Sequence, residues 1–132
     1  MYLLDTNICI FAINKKSPKL LAKLKNQTRR GIYISSLTVA ELEFGVQNSQ
    51  RPESNRLALL RFLSIFDILN FDSCDAVDYG HLKVKLKRKG QIIGPIDMLL
   101  AAQALNKNMT FVTNNVSEFA RIDELKIEDW TA

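Results

Sequence analysis

The chain is poor in the residues from which many active sites are built. Its 132 residues include one histidine, two cysteines and five glycines. A lone His81 leaves a histidine-rich zinc centre without ligands, and Cys9 and Cys74 lack metal-ligand spacing, so both read as small buried hydrophobes. No Gly-rich phosphate loop is present, and no Ser-His-Asp set stands out. No apolar run approaches the roughly 20 residues that cross a bilayer. No basic leader followed by an apolar core opens the chain, so the expected location is the cytoplasm, away from any membrane. Repeats, low-complexity tracts and long linkers are also missing, which points to a single domain over 1–132.

What is present is a core-forming composition, 47% hydrophobic and 24% charged, with a net charge of +4. That excludes a disordered chain and fits a polyanionic partner. The basic residues fall in two blocks. Lys15, Lys16, Lys19, Lys23, Lys25, Arg29 and Arg30 form one; Lys83, Lys85, Lys87, Arg88 and Lys89 form the other. Each is either a solvated helix face or a phosphate-binding surface.

Apolar runs alternate with helical patterns almost throughout. Strands are expected at Tyr2 to Leu4, Ile32 to Ile34, Phe66 to Phe71 and Met109 to Val112, with a short fifth at Lys126-Ile127. Helices are expected after Asp5 through Ile13 (capped by Thr6 or Asn7), from Ser17-Pro18, over Leu37 to Gln47, from Asp72 or Ser73 to about Lys89, and over Ile96 to Leu105. Ser49 to Asn55 reads as a loop or helix break. The next helix turns Leu57, Leu60, Phe62 and Leu63 inward. In the lysine-rich helix Ala76, Tyr79, Leu82 and Leu86 form the buried stripe. The pattern implies an α/β fold, a central, mainly parallel sheet flanked by helices, with ligands at the C-terminal edge of the strands.

That edge collects acids. Asp5 follows the first strand, Glu41 lies just inside the helix after the second, and Asp97 lies in the first turn after Gly94-Pro95. Each alone has a structural explanation, because the macrodipole favours an acid in a first helical turn. Together on one edge they repel, and a hard divalent ion such as Mg²⁺ or Mn²⁺ is the natural counter-charge. Carboxylate-held metals suit phosphoryl chemistry, and acids flanked by basic surfaces suit a nucleic-acid phosphodiester. A phospho-accepting receiver domain wants adjacent acids after the first strand, and a haloacid-dehalogenase-like phosphatase wants a second aspartate in Asp5-Thr6-Asn7; neither is there.

At these residues the chain resembles the PIN-domain nucleases, and more closely the VapC-type toxins of toxin–antitoxin pairs. The resemblance is carried by Leu3-Leu4-Asp5-Thr6-Asn7, by Ser35 to Leu42 with Gly45, by Gly90 to Asp97, by Val112-Thr113-Asn114-Asn115 with Glu118-Phe119, and by Glu128-Asp129-Trp130. It implies a PIN-like fold and an Mg²⁺- or Mn²⁺-dependent endoribonuclease in which Asp5, Glu41 and Asp97 are catalytic. Asp5 and Asp97 would ligate metal; Glu41 would ligate it or orient the attacking water. Thr6, Asn7 and Thr113 match positions that organise the acids by hydrogen bonds. Many PIN domains have an aspartate where this chain has Asn115, so Glu118 is expected to restore that charge through water. The resemblance also implies a homodimer and a VapB-type antitoxin that inserts a segment near the acids. It implies an RNA substrate too, with the anticodon loop of initiator tRNA as one candidate. The alternative keeps the fold without catalysis: a non-catalytic RNA-binding or assembly subunit whose acids are helix caps.

Overall fold

The computed structural model describes every residue, Met1–Ala132. Five strands form one sheet: β1 (Tyr2–Leu4), β2 (Ile32–Ser35), β3 (Asp67–Leu69), β4 (Thr110–Val112) and β5 (Ile127–Glu128), in the order β3-β2-β1-β4-β5. Every pairing is parallel. β1 is central, and its three residues are all buried. Tyr2 and Leu4 face one side and Leu3 the other, as strand alternation requires. Helices α1 (Thr6–Ile13), α2 (Pro18–Gln27), α3 (Ser36–Gln47) and α4 (Pro52–Leu63) supply the core on the first side. Helices α5 (Ser73–Arg88) and α6 (Pro95–Asn106) supply the second, with the short α7 (Val116–Phe119). Covered on both faces, the inner strands β1, β2 and β4 are largely apolar, as in other parallel sheets.

Local chemistry sets the helix ends. Ser17 caps α2 by accepting from the Leu20 amide at 3.2 Å, with Pro18 in its first turn. Ser35 caps α3 by accepting from the Leu37 amide at 3.1 Å. Gly90, at φ 66°, follows α5 in the left-handed region that glycine adopts without strain. α6 is buried over almost its whole length, from Met98 through Ala104 apart from the half-buried Leu99.

Several expectations need correction. The cap of α1 is Asp5, neither Thr6 nor Asn7. α4 begins at Pro52, so part of the expected loop is helical, proline being well placed in a first turn. Leu59 and Phe62 carry its buried face, while Leu57 and Leu60 are 56% and 47% exposed. β3 is shorter than Phe66 to Phe71 because it is an edge strand paired on one side only. Cys74 is exposed, unlike the buried Cys9. The inner stripe of α5 is Asp75, Tyr79, Leu82 and Leu86, while Ala76 is exposed.

A buried carboxylate therefore stands where an alanine was expected. Asp75 is 0% exposed. It closes a capping box with Asp72, accepting from the Asp72 amide at 2.9 Å while Asp72 accepts from the Asp75 amide at 3.0 Å. Its other oxygen accepts from Asn106 Nδ2 at 2.7 Å, with Lys107 Nζ at 3.3 Å. Asp75→Ala leaves these donors unmatched in the α5–α6 interface. It is expected to cost about 2–4 kcal/mol in urea denaturation, whereas Asp78→Ala, at a half-buried position with no hydrogen-bond or ion-pair partner, loses under about 1 kcal/mol.

Candidate functional site

The central strands deliver the site. Asp5 directly follows β1, and its amide donates to the carbonyl of Val112 at 2.9 Å, which fixes the backbone where the chain leaves the sheet. The side chain is 3% exposed and has two fixed contacts. Oδ1 accepts from the Thr6 amide and Oδ2 from Thr113 Oγ1, both at 2.8 Å. Thr113 reaches Asp5 because β4 pairs with β1 in a register that sets Leu4 beside Val112. The same hydroxyl accepts from the Asn115 amide at 3.0 Å, tying the turn after β4 to the acid.

Glu41 comes from α3, which leaves the neighbouring strand β2. Thr6 Oγ1 donates to Glu41 Oε1 at 2.7 Å and lies 3.1 Å from Thr38 Oγ1. Since the Thr6 proton goes to Glu41, Thr38 is the donor in that second contact. Thr38 was not singled out from the sequence. Its place one turn before Glu41, on the same helix face, was the available signal. Asn7 lies about 100° further round α1 than Thr6; it is exposed and hydrogen-bonds to none of the acids.

Asp97 sits in the first turn of α6. Its carboxyl is pushed up to about 7, mainly by burial, then by a hydrogen bond with Glu118 and by the charges of Asp5, Glu118 and Glu41. Asp5 is also raised, again mainly by burial, against the lowering effect of Thr113 and Thr6 and with Glu41 and Glu118 adding to the rise. These mutual effects place the four acids in one electrostatic field. Glu118, on α7, completes the group. Its Oε2 accepts from Asn115 Nδ2 at 2.6 Å, and its Oε1 lies 3.5 Å from the Gly94 amide, the outer limit of a hydrogen bond. The polar break Thr113-Asn114-Asn115 signals a helix N-terminus, but a four-residue helix carries too little periodicity for its bounds to be read from sequence.

No lysine or arginine reaches these acids; every ion pair in the chain lies elsewhere. As the side chains stand, no three of them meet at metal-coordinating distance. The set is all oxygen, negatively charged and unpartnered by cations, and hard divalent ions fit such donors. His81 is exposed, on the surface of α5.

The PIN domain family model matches residues 2–125. The chain is 44% identical to ribonuclease VapC2 of Rickettsia felis and 38% identical to the tRNA(fMet)-specific endonuclease VapC of Shigella flexneri, in each case over 98% of both chains. Among solved structures it is similar, at a TM-score of 0.94 and 42% identity over 98% of both chains, to the crystal structure of VapBC2 from Rickettsia felis bound to a DNA fragment from their promoter. An all-parallel sheet of this order, a row of acids at its strand ends and relatives this similar over the whole length lead to one assignment. The chain belongs to the PIN-domain family and, within it, to the VapC ribonucleases of VapBC toxin–antitoxin pairs.

Proposed function

We propose that this chain, as a single domain, is the toxin of such a pair and hydrolyses RNA with a divalent ion, Mg²⁺ or Mn²⁺, held by Asp5 and Asp97 with Glu41. The observation that carries the reading is the convergence of Asp5, Glu41, Asp97 and Glu118 on one edge with no basic side chain among them. If the acids were helix caps, only Asp5 would fit, because the N-cap of α6 is Gly94 and Glu41 lies in the second turn of α3. Asp97, held up to about 7, is a liability to the fold unless a cation meets it.

A bound divalent ion supplies hydroxide near neutral pH and balances charge on the phosphate oxygens. The chain's own residues do the positioning. Thr113 and the Thr6 amide hold both oxygens of Asp5, and the Thr6 hydroxyl orients Glu41 toward the same space. Asn115 spends its amide protons on Glu118, so the fourth charge sits on residue 118. Water is the nucleophile, so the products carry 5′-phosphate and 3′-hydroxyl ends. Mapping the ends made by the purified protein tests this, and 2′,3′-cyclic phosphates would overturn it. Initiator tRNA, the substrate in the Shigella relative's name, is the first RNA to try.

Asn115→Asp looks like a restoration of the usual fourth acid, yet it sets two carboxylates against each other where a 2.6 Å hydrogen bond now stands. It is expected to lower the metal-free melting temperature. Adding Glu118→Gln, which puts the donor on the other partner, should recover most of the loss in a thermal scan with chelator.

The relatives' partners suggest this chain's own. An apolar groove of about 600 Å³ runs between α1, α2 and α4, lined by Ile13, Leu24, Phe62 and Phe66 and edged by Lys25 and Arg61. It suits a second, apolar antitoxin segment carrying acidic residues, at the opposite end of α1 from the segment expected near the acids. Work in the cytoplasm as a homodimer is part of the same proposal; no helix is long and apolar enough to cross a membrane.

A further inference from the structure

The acidic edge must receive a polyanion that it repels. Phosphates on either side of the scissile bond therefore need cations near the acids. Two basic blocks compete for that role, and the fold separates them. Arg29 and Arg30 lie in the 3₁₀ turn just before β2 begins at Ile32. Glu41 belongs to the helix that leaves the other end of that strand, after Ser35. The end of the first block is thus on the edge of the sheet away from the acids.

The second block is tied to the site. His81, Val84, Lys85 and Arg88 share one face of α5 and, with Lys89 at its C-cap, line a shallow cavity of about 410 Å³. After Arg88 the chain runs through Ile92 and Gly94 to Asp97. Arg121 Nη1 donates to the carbonyl of Ile92 at 3.2 Å. Arg121 also follows Glu118 by one helical turn, so it joins the cationic end of α5 to the rim of the acids.

These cations are available. Arg88 has no carboxylate partner. Arg121 makes one hydrogen bond, to a carbonyl, leaving most of its guanidinium donors for other acceptors. Lys85 is paired with Glu124, and Lys89 with Asp123 at 3.2 Å, but all four side chains are 41–71% exposed and such pairs are weak. A phosphate can replace either carboxylate.

We propose that the C-terminal face of α5, with Arg88 at its centre and Arg121 at its inner edge, binds the phosphate backbone of the RNA next to the cleavage site. The proposal rests on the ribonuclease reading above. Arg88 and Arg121 are RNA-positioning residues; Asp123 and Glu124 hold the two lysines in the absence of RNA.

The test is fluorescence anisotropy with a labelled RNA hairpin, in the Asp5→Asn chain so that the RNA survives, from about 50 to about 200 mM salt. Arg88→Gln/Arg121→Gln should raise Kd about tenfold or more and flatten the slope of log K against log salt by about 0.7–0.9 per cation removed. Arg88→Gln alone should give part of the loss, which separates phosphate binding from the Arg121–Ile92 contact. Asp123→Asn/Glu124→Gln should act in the opposite direction and tighten binding. Arg29→Gln/Arg30→Gln should leave Kd within about twofold. An unchanged Kd in the α5 variants, or an equal loss from Arg29→Gln/Arg30→Gln, overturns the proposal while the ribonuclease reading stands. If the Asp5→Asn parent binds no RNA, both fall.

Discussion

Asp5→Asn is expected to lower RNA cleavage by at least about a thousandfold, roughly 4 kcal/mol of transition-state stabilisation, with the fold intact. The two halves of that result come from different atoms. Asparagine keeps an oxygen for the Thr6 amide, so the cap of α1 survives. Its Nδ2 faces Thr113 Oγ1, a hydroxyl able to accept as well as donate. Burial already disfavours the charged form of Asp5, so neutralising it relieves the metal-free fold. What disappears is the charge at the centre of the edge. Circular dichroism should match wild type and the metal-free melting temperature should be no lower, while cleavage of tRNA in Mn²⁺ fails. Activity within about tenfold of wild type would remove Asp5 from the chemistry.

The second large effect is on stability, and its sign is opposite to that of most acids. Asp97 has a carboxyl raised from 3.8 to about 7 in the folded chain. The folded state therefore holds a proton that the unfolded state releases, and folding takes one up between those values. The contribution is fully present below about pH 4 and is lost as pH rises through about 7. In chelator, wild type should thus lose melting temperature between about pH 5 and about pH 8, relative to Asp97→Asn, which should be the more stable at the upper end. Asparagine can still donate to Glu118, so this gain is not offset by a lost contact. Saturating Mn²⁺ should reverse the order. An ion at about a hundred times its Kd adds about 2.7 kcal/mol to wild type and little to the variant. A variant that melts below wild type at about pH 8 without metal contradicts the assignment of repulsion at Asp97.

Asp5 and Asp97 were readable from their apolar surroundings. Asp5 ends an apolar run, and Asp97 follows a Gly-Pro that opens a nearly all-apolar helix. Strand alternation then places them on one edge, since parallel strands share a direction. The contacts that hold the acids were less accessible. Thr113 reaches Asp5 across 108 residues of sequence, through the register of β1 on β4. Asp75 was hidden for the same reason, its partners Asn106 and Lys107 being at the end of another helix. In α4, apolar residues at 57, 59, 60, 62 and 63 allow two helical faces, and packing against α1 and α3 selected Leu59 and Phe62. The basic blocks looked equivalent as charge runs, and the strand direction distinguishes them.

The most direct measurement is Mn²⁺ binding itself, read as loss of the free-ion electron paramagnetic resonance signal on adding protein. Wild type should take up the ion saturably, and Asp5→Asn and Asp97→Asn should each weaken uptake by at least about tenfold, with Thr6→Val, which releases Glu41, intermediate. Equal uptake by wild type and both carboxamide variants would contradict a metal centre at these strand ends.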